Sequence, residues 1–367
     1  MHKICDQKVS LQVMFPSDIF TTKDILYGGS SNRRIVFVDS FLYSKKIWKE
    51  KITNYFNTFK INVVIIPIDC SEDKKDLETL MFILGHIERF NLLRRDEPII
   101  AIGGGVLLDI VAFASSIFRR GVPYIKVPTT LLGMVDAGLG AKTSINHFGR
   151  RNRIGSYFPP ITTIVDKQFL STLDKTEITY ALGEIIKIAV IKNKKLFMYL
   201  DNNLEKCLTK NFMCNEADYI ISESINSMME ELVPNLWEKN LKRLVDFGHT
   251  FSPIPEMKSL EDDNVESLSH GQAVILDVLL SSKLSLSRKI ISQDMYDDIV
   301  NVVKRSGLKT THPYFEDPYI LWDSLLDACK HRNGDQNLPI PNAVGSGIFV
   351  NDVSLNEIKE ILNESRC

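Results

Sequence analysis

Apolar and polar positions alternate in two distinct ways along this chain. Up to about residue 167, short apolar runs are followed by polar turn residues or by amphipathic helical patterns. Strands and helices that alternate in this manner predict a doubly wound, Rossmann-like α/β fold with a parallel sheet between helices. The predicted strands cover residues 34–39, 61–69, 98–102, 124–127 and 161–166, and the predicted helices cover residues 74–90 and 106–117.

The rest of the chain has a different pattern. The first thirty residues are poorly patterned and fit an edge strand or an arm, whereas long helical periodicities dominate after Lys167. Neither an internal repeat nor a Gly/Ser linker separates the two parts. We therefore predict two domains, residues 1–167 and 168–367, of which the second is mostly α-helical. Its predicted helices cover residues 177–191, 218–232, 272–286 and 293–303.

Three consecutive glycines, Gly103, Gly104 and Gly105, lie between a predicted strand and the helix that follows it. Glycines at such a turn let the backbone approach an anion closely, and the free N–H groups of the helix favour a phosphate. A nucleotide pyrophosphate is therefore the expected ligand. The usual G-x-G-x-x-G pattern is absent because Leu108 occupies its third glycine position, and a glycine triplet can also form only a tight turn.

Polar residues recur at the ends of the predicted apolar segments. Asp39 ends a buried strand, where an acid can bind a ribose diol but can equally cap a helix. The polar groups that follow the glycines are more numerous than a fold alone requires. They are Asp109, Arg119, Arg120, Thr129, Thr130, Asp136, Lys142, Arg151 and Asn152.

Ordered motifs over most of the chain resemble the sugar-phosphate cyclase superfamily, to which 3-dehydroquinate synthase belongs. The likeness extends from about Asp39 to His331. It implies an α/β domain that binds NAD, followed by a helical domain that binds metal and substrate. The matching motifs, in order, are GGGVLLDIVAF, RRGVPYIKVPTTLL, VDAGLGAKTSIN, RNRIGSYFPP, GEIIKIAVIK, VDFGHTF and SHGQAV.

The resemblance assigns the metal ligands to Glu184, His249 and His270. One carboxylate and two imidazoles leave an open position on the ion, which suits catalytic zinc, with cobalt as an alternative. Spacing alone does not identify this set, since a single histidine is more often a satisfied surface or core residue.

The resemblance also implies a sugar phosphate as substrate and NAD as a cofactor regenerated in each turnover. The implied lyase reaction oxidises a hydroxyl transiently, eliminates phosphate, returns the hydride and closes a carbocycle by an intramolecular aldol step. The residues matched to NAD binding are Asp39, Glu72, Lys75, Gly103, Gly104, Gly105, Asp109, Thr129, Thr130, Leu132, Asp136 and Lys142.

A partly overlapping set is matched to catalysis and to the substrate. Lys142 is predicted to be a cation in a buried loop that holds substrate hydroxyls or an oxyanion, with Asp136 orienting it. In the family a cationic residue of this pocket can come from a partner subunit, so we expect a homodimer. The catalytic set is Lys142, Asp136, Asn152, Lys187 and Arg151. The substrate set is Arg120, Asp136, Lys142, Asn152, Lys187, Lys242, Asp246, His331 and Arg332.

Four positions depart from the pattern of 3-dehydroquinate synthase. Pro253 replaces a histidine, Gln272 replaces a glutamate and Asp246 replaces an asparagine. Lys242 lies nearest to the position of a missing carboxylate-binding arginine. Because proline and glutamine carry no ionisable group, we expect a substrate with a neutral hydroxymethyl terminus in place of a carboxylate.

These departures resemble the branch that acts on sedoheptulose 7-phosphate. Further motifs of that branch are EELVPNLWEK and HRNG. Within it, valiolone-type and gadusol-type synthases share most motifs, and we expect the valiolone-type product. The alternatives are a gadusol-type synthase, 3-dehydroquinate synthase itself and, in another class, an NAD-dependent metal alcohol dehydrogenase.

Composition narrows the remaining classes. With 44% hydrophobic and 25% charged residues, the chain of 367 residues is typical of soluble globular proteins. Its 44 basic and 46 acidic residues give a net charge of -2 without a long like-charged block, so we expect neither nucleic acid nor a membrane surface as partner. The apolar run that ends at Arg119 is too short for a membrane span, and no signal pattern precedes it, so we expect a cytoplasmic protein. The six cysteines form no C-x-x-C pair, which predicts free thiols.

Overall fold

The computed structural model describes residues 12–27 and 30–363. The chain divides into two compact units, the first ending at Leu170 and the second beginning at Ser171. The predictions made for residues 1–11 therefore lie outside the described part.

The first unit contains a parallel sheet of six strands in the order β1-β8-β5-β4-β2-β3. This confirms the predicted α/β class. The predicted strands are all present with bounds that differ by a few residues, and the edge strand predicted near the start of the chain is β1. The strands of this sheet are β1 (Gln12–Met14), β2 (Arg33–Asp39), β3 (Asn62–Ile68), β4 (Ile99–Gly103), β5 (Tyr124–Pro128) and β8 (Thr162–Ile164).

The helices of the first unit follow strands, as in other doubly wound folds. Side chains of the sheet and of two of these helices form a buried core that includes Phe37, Ile83, Ala101 and Leu107. The helices are α1 (Lys23–Tyr27), α2 (Ser40–Ser44), α3 (Lys46–Thr58), α4 (Leu77–Phe90) and α5 (Gly105–Ile117).

Strand β2 pairs with β3 on one side and with β4 on the other. The order of the sheet therefore reverses between β2 and β4, which is where doubly wound folds bind ligands beyond the carboxyl ends of the strands. Those ends are Asp39 and Gly103.

Two elements between β5 and β8 were not predicted. A π-helical turn covers Gly133–Ala137, and an antiparallel hairpin consists of β6 (Lys142–His147) and β7 (Arg150–Tyr157). The hairpin is rich in polar and charged residues, and its register shifts between Ile145 and His147, so it lacks the clean apolar alternation that marks a strand.

The second unit is mostly helical, as predicted. The four predicted helices are present, and each begins a few residues earlier or at the predicted residue. Its helices are α6 (Lys175–Lys192), α7 (Lys194–Thr209), α8 (Asn215–Leu232), α9 (Pro253–Glu261), α10 (His270–Ser287), α11 (Gln293–Arg305), α12 (Pro318–His331) and α13 (Leu355–Asn363). A hairpin of β9 (Leu338–Ala343) and β10 (Ser346–Val350), which was not predicted, completes the unit.

Helices α6 and α10 are buried on nearly every side, so both are core helices of the second unit. They come into backbone contact because neither has a side chain at the contact. A Cβ atom on Gly183 would overlap the carbonyl oxygen of Gly271, and one on Gly271 would overlap that of Tyr180. This contact matters because a candidate metal ligand adjoins each glycine.

The cysteines Cys70, Cys207, Cys214 and Cys329 are free thiols, as predicted for them. The remaining two, Cys5 and Cys367, lie outside the described residues. The Sγ atoms of Cys207, in the last turn of α7, and Cys214, the N-cap of α8, are 3.4 Å apart.

Within the described residues, no helix has the length and apolar character that a bilayer span requires.

Candidate metal centre and cofactor site

The three predicted metal ligands come together in the second unit. Glu184 lies in the middle of α6, His270 begins α10, and His249 lies between a short helical turn and α9. The Nε2 atoms of His270 and His249 lie 3.3 Å and 3.5 Å from Glu184 Oε1. One ligand atom from each residue lies within 4.8 Å of the others, a spacing that one ion can bridge.

The outer nitrogen of each imidazole already has a partner. Nδ1 of His249 lies 3.3 Å from the backbone oxygen of Phe247, and Nδ1 of His270 lies 3.3 Å from Glu256 Oε2. These contacts fix the ring orientations and direct both Nε2 atoms towards Glu184, as the partners of the outer imidazole nitrogens do in zinc sites.

The Glu184 carboxylate is the observation that tests whether this group of residues fits a cation. It is 1% exposed, and neither of its oxygens accepts a hydrogen bond. A buried carboxylate without hydrogen bonds is costly even when it pairs with an ammonium, as Glu184 does with Lys187, and coordination of a metal cation would lower this cost. The donor set fits zinc or cobalt.

The charged groups around the three candidate ligands shift one another's pKa values. Burial alone would raise the pKa of Glu184, but the Lys187 ammonium and the two imidazoles hold it well below its usual range. Burial, with Lys187, lowers the pKa of His249 to about 4, so that imidazole is neutral at physiological pH. Burial would also lower the pKa of His270, but the carboxylates of Glu256 and Glu184 raise it well above its usual value.

Lys187 lies on the same face of α6 as Glu184, as its position three residues later predicts. Its Nζ is 2.5 Å from Glu184 Oε2 and donates to the backbone oxygen of Val245 at 3.1 Å. The side chain is 2% exposed. Its ammonium therefore balances the ligand carboxylate, and its predicted contact with substrate stays a prediction.

The other candidates in the second unit differ in exposure. Asp246 is held by Arg243, whose guanidinium donates to both carboxylate oxygens. Arg332 is buried, donates to Thr250 Oγ1 at 3.0 Å and lies 3.9 Å from Asp246. His331 is exposed at the end of α12 beside Asp327, and Lys242 is exposed as well.

In the first unit, the glycine turn is surrounded closely by other candidates. The ideal position of a Cβ on Gly103 is 3.2 Å from the Cβ of Asp39, and that on Gly104 is 3.2 Å from Thr130 Cγ2. Gly104 is the N-cap of α5 and no side chain caps this helix, so its first N–H groups are available to an anion. This backbone surface fits a dinucleotide phosphate.

Thr129 and Thr130 hold the neighbouring turn in place. The backbone N–H of Thr129 donates to Gly103 O at 3.0 Å, and Thr130 Oγ1 accepts from Gly133 N at 3.0 Å. Leu132 precedes the π-helical turn that contains Asp136. The glycines, the two threonines and this turn thus adjoin one another.

Asp39 caps a helix, which was one of its two predicted roles. Its Oδ1 accepts a hydrogen bond from Leu42 N at 2.8 Å at the start of α2. Because it also lies against Gly103 at the reversal of the sheet order, the second role, binding a ribose, stays a prediction.

A charged network joins five other candidates. Lys75 Nζ contacts Asp109 Oδ2 at 2.7 Å and Asn152 Oδ1 at 2.5 Å. Glu72 pairs with Arg151 and accepts from Asn146 Nδ2 at 2.8 Å. The network ties the residues before α4 to the β6–β7 hairpin and to α5.

Two further candidates are exposed. The prediction that Lys142 lies in a buried loop is wrong, because it begins β6 and its side chain faces solvent, whereas that of Thr143 faces inward. Arg120 is exposed on a turn in which both it and Arg119 have positive φ angles, 62° and 47°.

Gln272 has a structural role that its sequence position did not suggest. Its amide accepts from Lys309 N at 2.8 Å and donates to Lys309 O at 2.9 Å. Pro253, the other departure from 3-dehydroquinate synthase, begins α9 and is exposed. Any effect of Gln272 on substrate choice would therefore act through the segment that contains Lys309.

Several residues that support the site were missed. Glu256 contacts the ligand His270, and the fully buried Lys126 donates to the backbone oxygens of Ala137 and Gly140 at 3.2 Å and 3.4 Å. Neither belongs to a recognisable motif. The apolar surroundings of Lys126 in its strand were the one available signal, since lysine is rarely buried without a partner.

Comparison with known proteins decides the family. Residues 65–180 match the 3-dehydroquinate synthase N-terminal family, and residues 181–332 match the 3-dehydroquinate synthase C-terminal family. The chain belongs to the 3-dehydroquinate synthase family. It is therefore an enzyme related to the sugar-phosphate cyclases, as the motifs predicted.

Relatives within the 3-dehydroquinate synthase family span nearly the whole chain. The chain is 39% identical to a 2-epi-5-epi-valiolone synthase of Streptomyces albus, over 96% of this chain and 87% of the relative. It is 30% identical to a demethyl-4-deoxygadusol synthase of Trichormus variabilis, over 98% of this chain and 88% of the relative.

A solved structure extends the comparison to three dimensions. It is that of a 2-epi-5-epi-valiolone synthase from Streptomyces hygroscopicus subsp. jinggangensis with NAD+ and Zn2+ bound. It matches this chain with a TM-score of 0.93 and 35% identity, covering 100% of both chains.

Proposed function

We propose that this enzyme converts sedoheptulose 7-phosphate to 2-epi-5-epi-valiolone with release of phosphate. The observation that carries the proposal is the convergence of Glu184, His249 and His270 in a chain 39% identical to a synthase of that name. The lower identity of 30% to a demethyl-4-deoxygadusol synthase makes the gadusol-type product the second candidate.

The reaction has no net oxidation, so we class it as a phosphate-eliminating lyase. When bound, NAD supplies a hydride acceptor and donor, and zinc supplies a Lewis acid that polarises substrate oxygens. A ketone formed transiently acidifies the neighbouring C–H bond. Phosphate then leaves by β-elimination, and the hydride returns to the ketone carbon, so that no net oxidation remains. Ring opening and an intramolecular aldol step close the carbocycle.

We assign zinc, or cobalt in its place, to Glu184, His249 and His270. Lys187 balances the charge of the Glu184 carboxylate, and Glu256 orients His270 through its Nδ1 atom. A zinc ion held by these three residues would keep a position open for substrate oxygens.

We assign NAD to the first unit. The backbone at Gly103, Gly104 and Gly105 receives the pyrophosphate, and Asp39 lies where a ribose diol can be bound. The Lys75–Asp109–Asn152 network positions the hairpin beside these residues. The remaining cofactor candidates are Glu72, Thr129, Thr130, Leu132, Asp136 and Lys142.

The substrate is a small anionic sugar, so its phosphate requires cations. We propose Lys142 and Arg151 for the substrate hydroxyls and phosphate on the first unit, and Arg332 on the second. Asp246 supplies a carboxylate that accepts from sugar hydroxyls. The other proposed contacts are Arg120, Asp136, Asn152, Lys187, Lys242 and His331.

The organisation of the protein belongs to the same proposal. Residues 1–167 form the cofactor domain and residues 168–367 form the metal and substrate domain. A homodimer in the cytoplasm is the expected state, and sedimentation of the purified protein checks the oligomer.

The decisive experiment incubates the protein with sedoheptulose 7-phosphate, catalytic NAD and zinc. We expect phosphate release without net absorbance change at 340 nm, and a product with the mass and NMR spectrum of 2-epi-5-epi-valiolone. A gadusol-type product selects the second candidate. NADH that accumulates in proportion to substrate would show an alcohol dehydrogenase and contradict the proposal.

A further inference from the structure

Asp277 is a buried carboxylate with an unusual set of partners. It lies in α10 two turns after His270 and is 0% exposed. Its Oδ2 accepts hydrogen bonds from three successive backbone N–H groups, Thr250 at 2.8 Å, Phe251 at 2.6 Å and Ser252 at 3.0 Å. Its Oδ1 accepts from Ser281 Oγ at 3.0 Å.

The three donors precede helix α9, whose first residue, Pro253, has no N–H. The N-cap Ser252 does not satisfy them, because its Oγ donates to Gly248 O at 2.7 Å. Asp277 therefore binds the backbone that leads directly into α9, and it places there the negative charge that a helix N-terminus favours.

The segment that Asp277 holds begins next to a candidate metal ligand. His249 precedes Thr250, the first of the three donors. On the other side of His249, Gly248 has a φ angle of +82° and lies against Val274, where an added Cβ would come within 2.9 Å of Val274 Cγ1. The backbone after His249 is therefore hydrogen-bonded to α10, and the backbone before it packs against α10.

We propose that Asp277 is a positioning residue for the metal centre. It fixes the His249 segment on the same helix that begins with His270, and so sets the separation of the two imidazoles, whose ring centroids are 5.4 Å apart. The proposal rests on the metal site of the proposed function. It assigns no contact between Asp277 and the ion.

A buried carboxylate that served stability alone would predict a different result. Loss of such a carboxylate weakens the fold but leaves the metal affinity of the folded protein unchanged. Loss of a group that orients metal ligands lowers metal affinity by about 10–100-fold. Zinc affinity of the folded protein therefore separates the two roles.

The chain offers a matched control in its other unit. Asp166 is also buried and accepts from two backbone N–H groups, Ile19 at 3.0 Å and Gln168 at 2.9 Å. Replacing it removes a comparable buried carboxylate away from Glu184, His249 and His270.

The experiment measures zinc affinity by competition with a chromogenic chelator, and the absorption spectrum of the cobalt-loaded protein. We expect Asp277→Ala to bind zinc at least about 10-fold more weakly and to change the cobalt spectrum. Asp277→Asn keeps an oxygen acceptor without the charge, so we expect a smaller loss of zinc affinity than in Asp277→Ala. The loss should still be at least about threefold. Asp166→Asn should keep the wild-type values.

The outcomes are distinguishable. Wild-type affinity and spectrum in folded Asp277→Ala, or an equal loss in Asp166→Asn, would overturn the role of Asp277. If Asp277→Ala does not fold, Asp277→Asn decides, and wild-type affinity in it overturns the proposal. A wild-type protein that binds no zinc would overturn the metal site itself and the proposed function with it.

Discussion

Gly183 and Gly271 lie in backbone contact where α6 meets α10, with no room for a Cβ atom on either residue. Their neighbours Glu184 and His270 are the two candidate ligands whose atoms approach to 3.3 Å. Because glycine has no side chain, the two helices can approach this closely, and their approach sets the distance between the two candidate ligands.

Alanine at either glycine tests this relationship. Because the added methyl group would strike backbone atoms, we expect Gly183→Ala and Gly271→Ala to lower the free energy of unfolding by about 1–3 kcal/mol and to weaken zinc binding. Urea unfolding and chelator competition measure the two effects. Gly85→Ala is the control, since its Cβ would meet only Arg89 Nη2 at 3.8 Å, and it should stabilise α4 by about 0.5–1 kcal/mol. Wild-type zinc affinity in both test variants would contradict the prediction.

The candidate metal ligands make a second prediction. Alanine at Glu184, His249 or His270 should remove bound zinc, and a chelator should abolish the activity of the wild-type enzyme, because three ligands are the minimum for a catalytic site. Elemental analysis of the purified variants measures the zinc content. His312→Ala is a control, as this buried imidazole contacts Glu266 O instead. Full zinc occupancy in His249→Ala would refute the assignment.

Lys126 should affect the cofactor without touching it. It donates to the turn that follows Asp136, so Lys126→Met leaves two carbonyl oxygens without their cation and should cost about 1–3 kcal/mol of stability. We also expect weaker NAD binding, measured by calorimetry on the folded variant. Lys46→Met, a change at an exposed ion pair, should leave both the stability and the NAD affinity unchanged. Unaltered NAD affinity in Lys126→Met would show that the turn does not depend on Lys126.

An ion pair between α7 and α11 predicts a pH dependence. Hydrogen bonds from Arg305 lower the pKa of Glu205 from 4.5 to about 2. A carboxyl with a depressed folded-state pKa adds stability above pH 4.5, and this contribution is lost as pH falls from 4.5 towards 2. Because the pair is exposed, Arg305→Gln should cost less than about 1 kcal/mol at pH 7. Urea midpoints at several pH values should converge with the wild type below pH 4.5, and those of Lys304→Gln should not differ at any pH. Arg305 also donates to the side chain and to the backbone oxygen of Asp201, so Glu205→Gln is the decisive comparison. A difference from the wild type that persists at low pH in Glu205→Gln would rule out Glu205 as its source.

Substrate choice makes the last prediction. Pro253 and Gln272 lack the ionisable groups that stand there in 3-dehydroquinate synthase, so we expect turnover of sedoheptulose 7-phosphate and little or none of the carboxylate-bearing substrate. Specificity constants for both sugars, in the wild type and in Gln272→Glu, measure the selection. Comparable constants for the two sugars in the wild type would show that these positions do not select. A change in stability alone in Gln272→Glu would indicate that its bonds to Lys309 are its whole role.

The sequence predicted the sheet of the first unit because its strands are short apolar runs between turn residues, as at β4 and β5. It predicted α6 and α10 because their apolar residues recur at helical spacing. The β6–β7 hairpin escaped prediction because polar residues such as Asn146 and Asn152 occupy it for their mutual contacts. Such pairings between polar side chains and backbone groups leave no periodic signal.

The candidate site likewise contains residues that the sequence could predict and residues that it could not. Glu184, His249 and His270 were identified through family motifs, whereas their supports Glu256 and Asp277 were not, since each acts across a fold that only the structure reveals. The two roles of Asp39 could not be separated from sequence, because a capping carboxylate and a ligand-binding carboxylate occupy the same position after a strand.

One margin of the large sheet is a poor template for an incoming strand. The edge strand β3 contains Pro67, which has no N–H to donate. Growth of the sheet by addition of further chains along β3 is thereby disfavoured. Any pairing of subunits at this margin should therefore use side-chain surfaces in place of a backbone ladder.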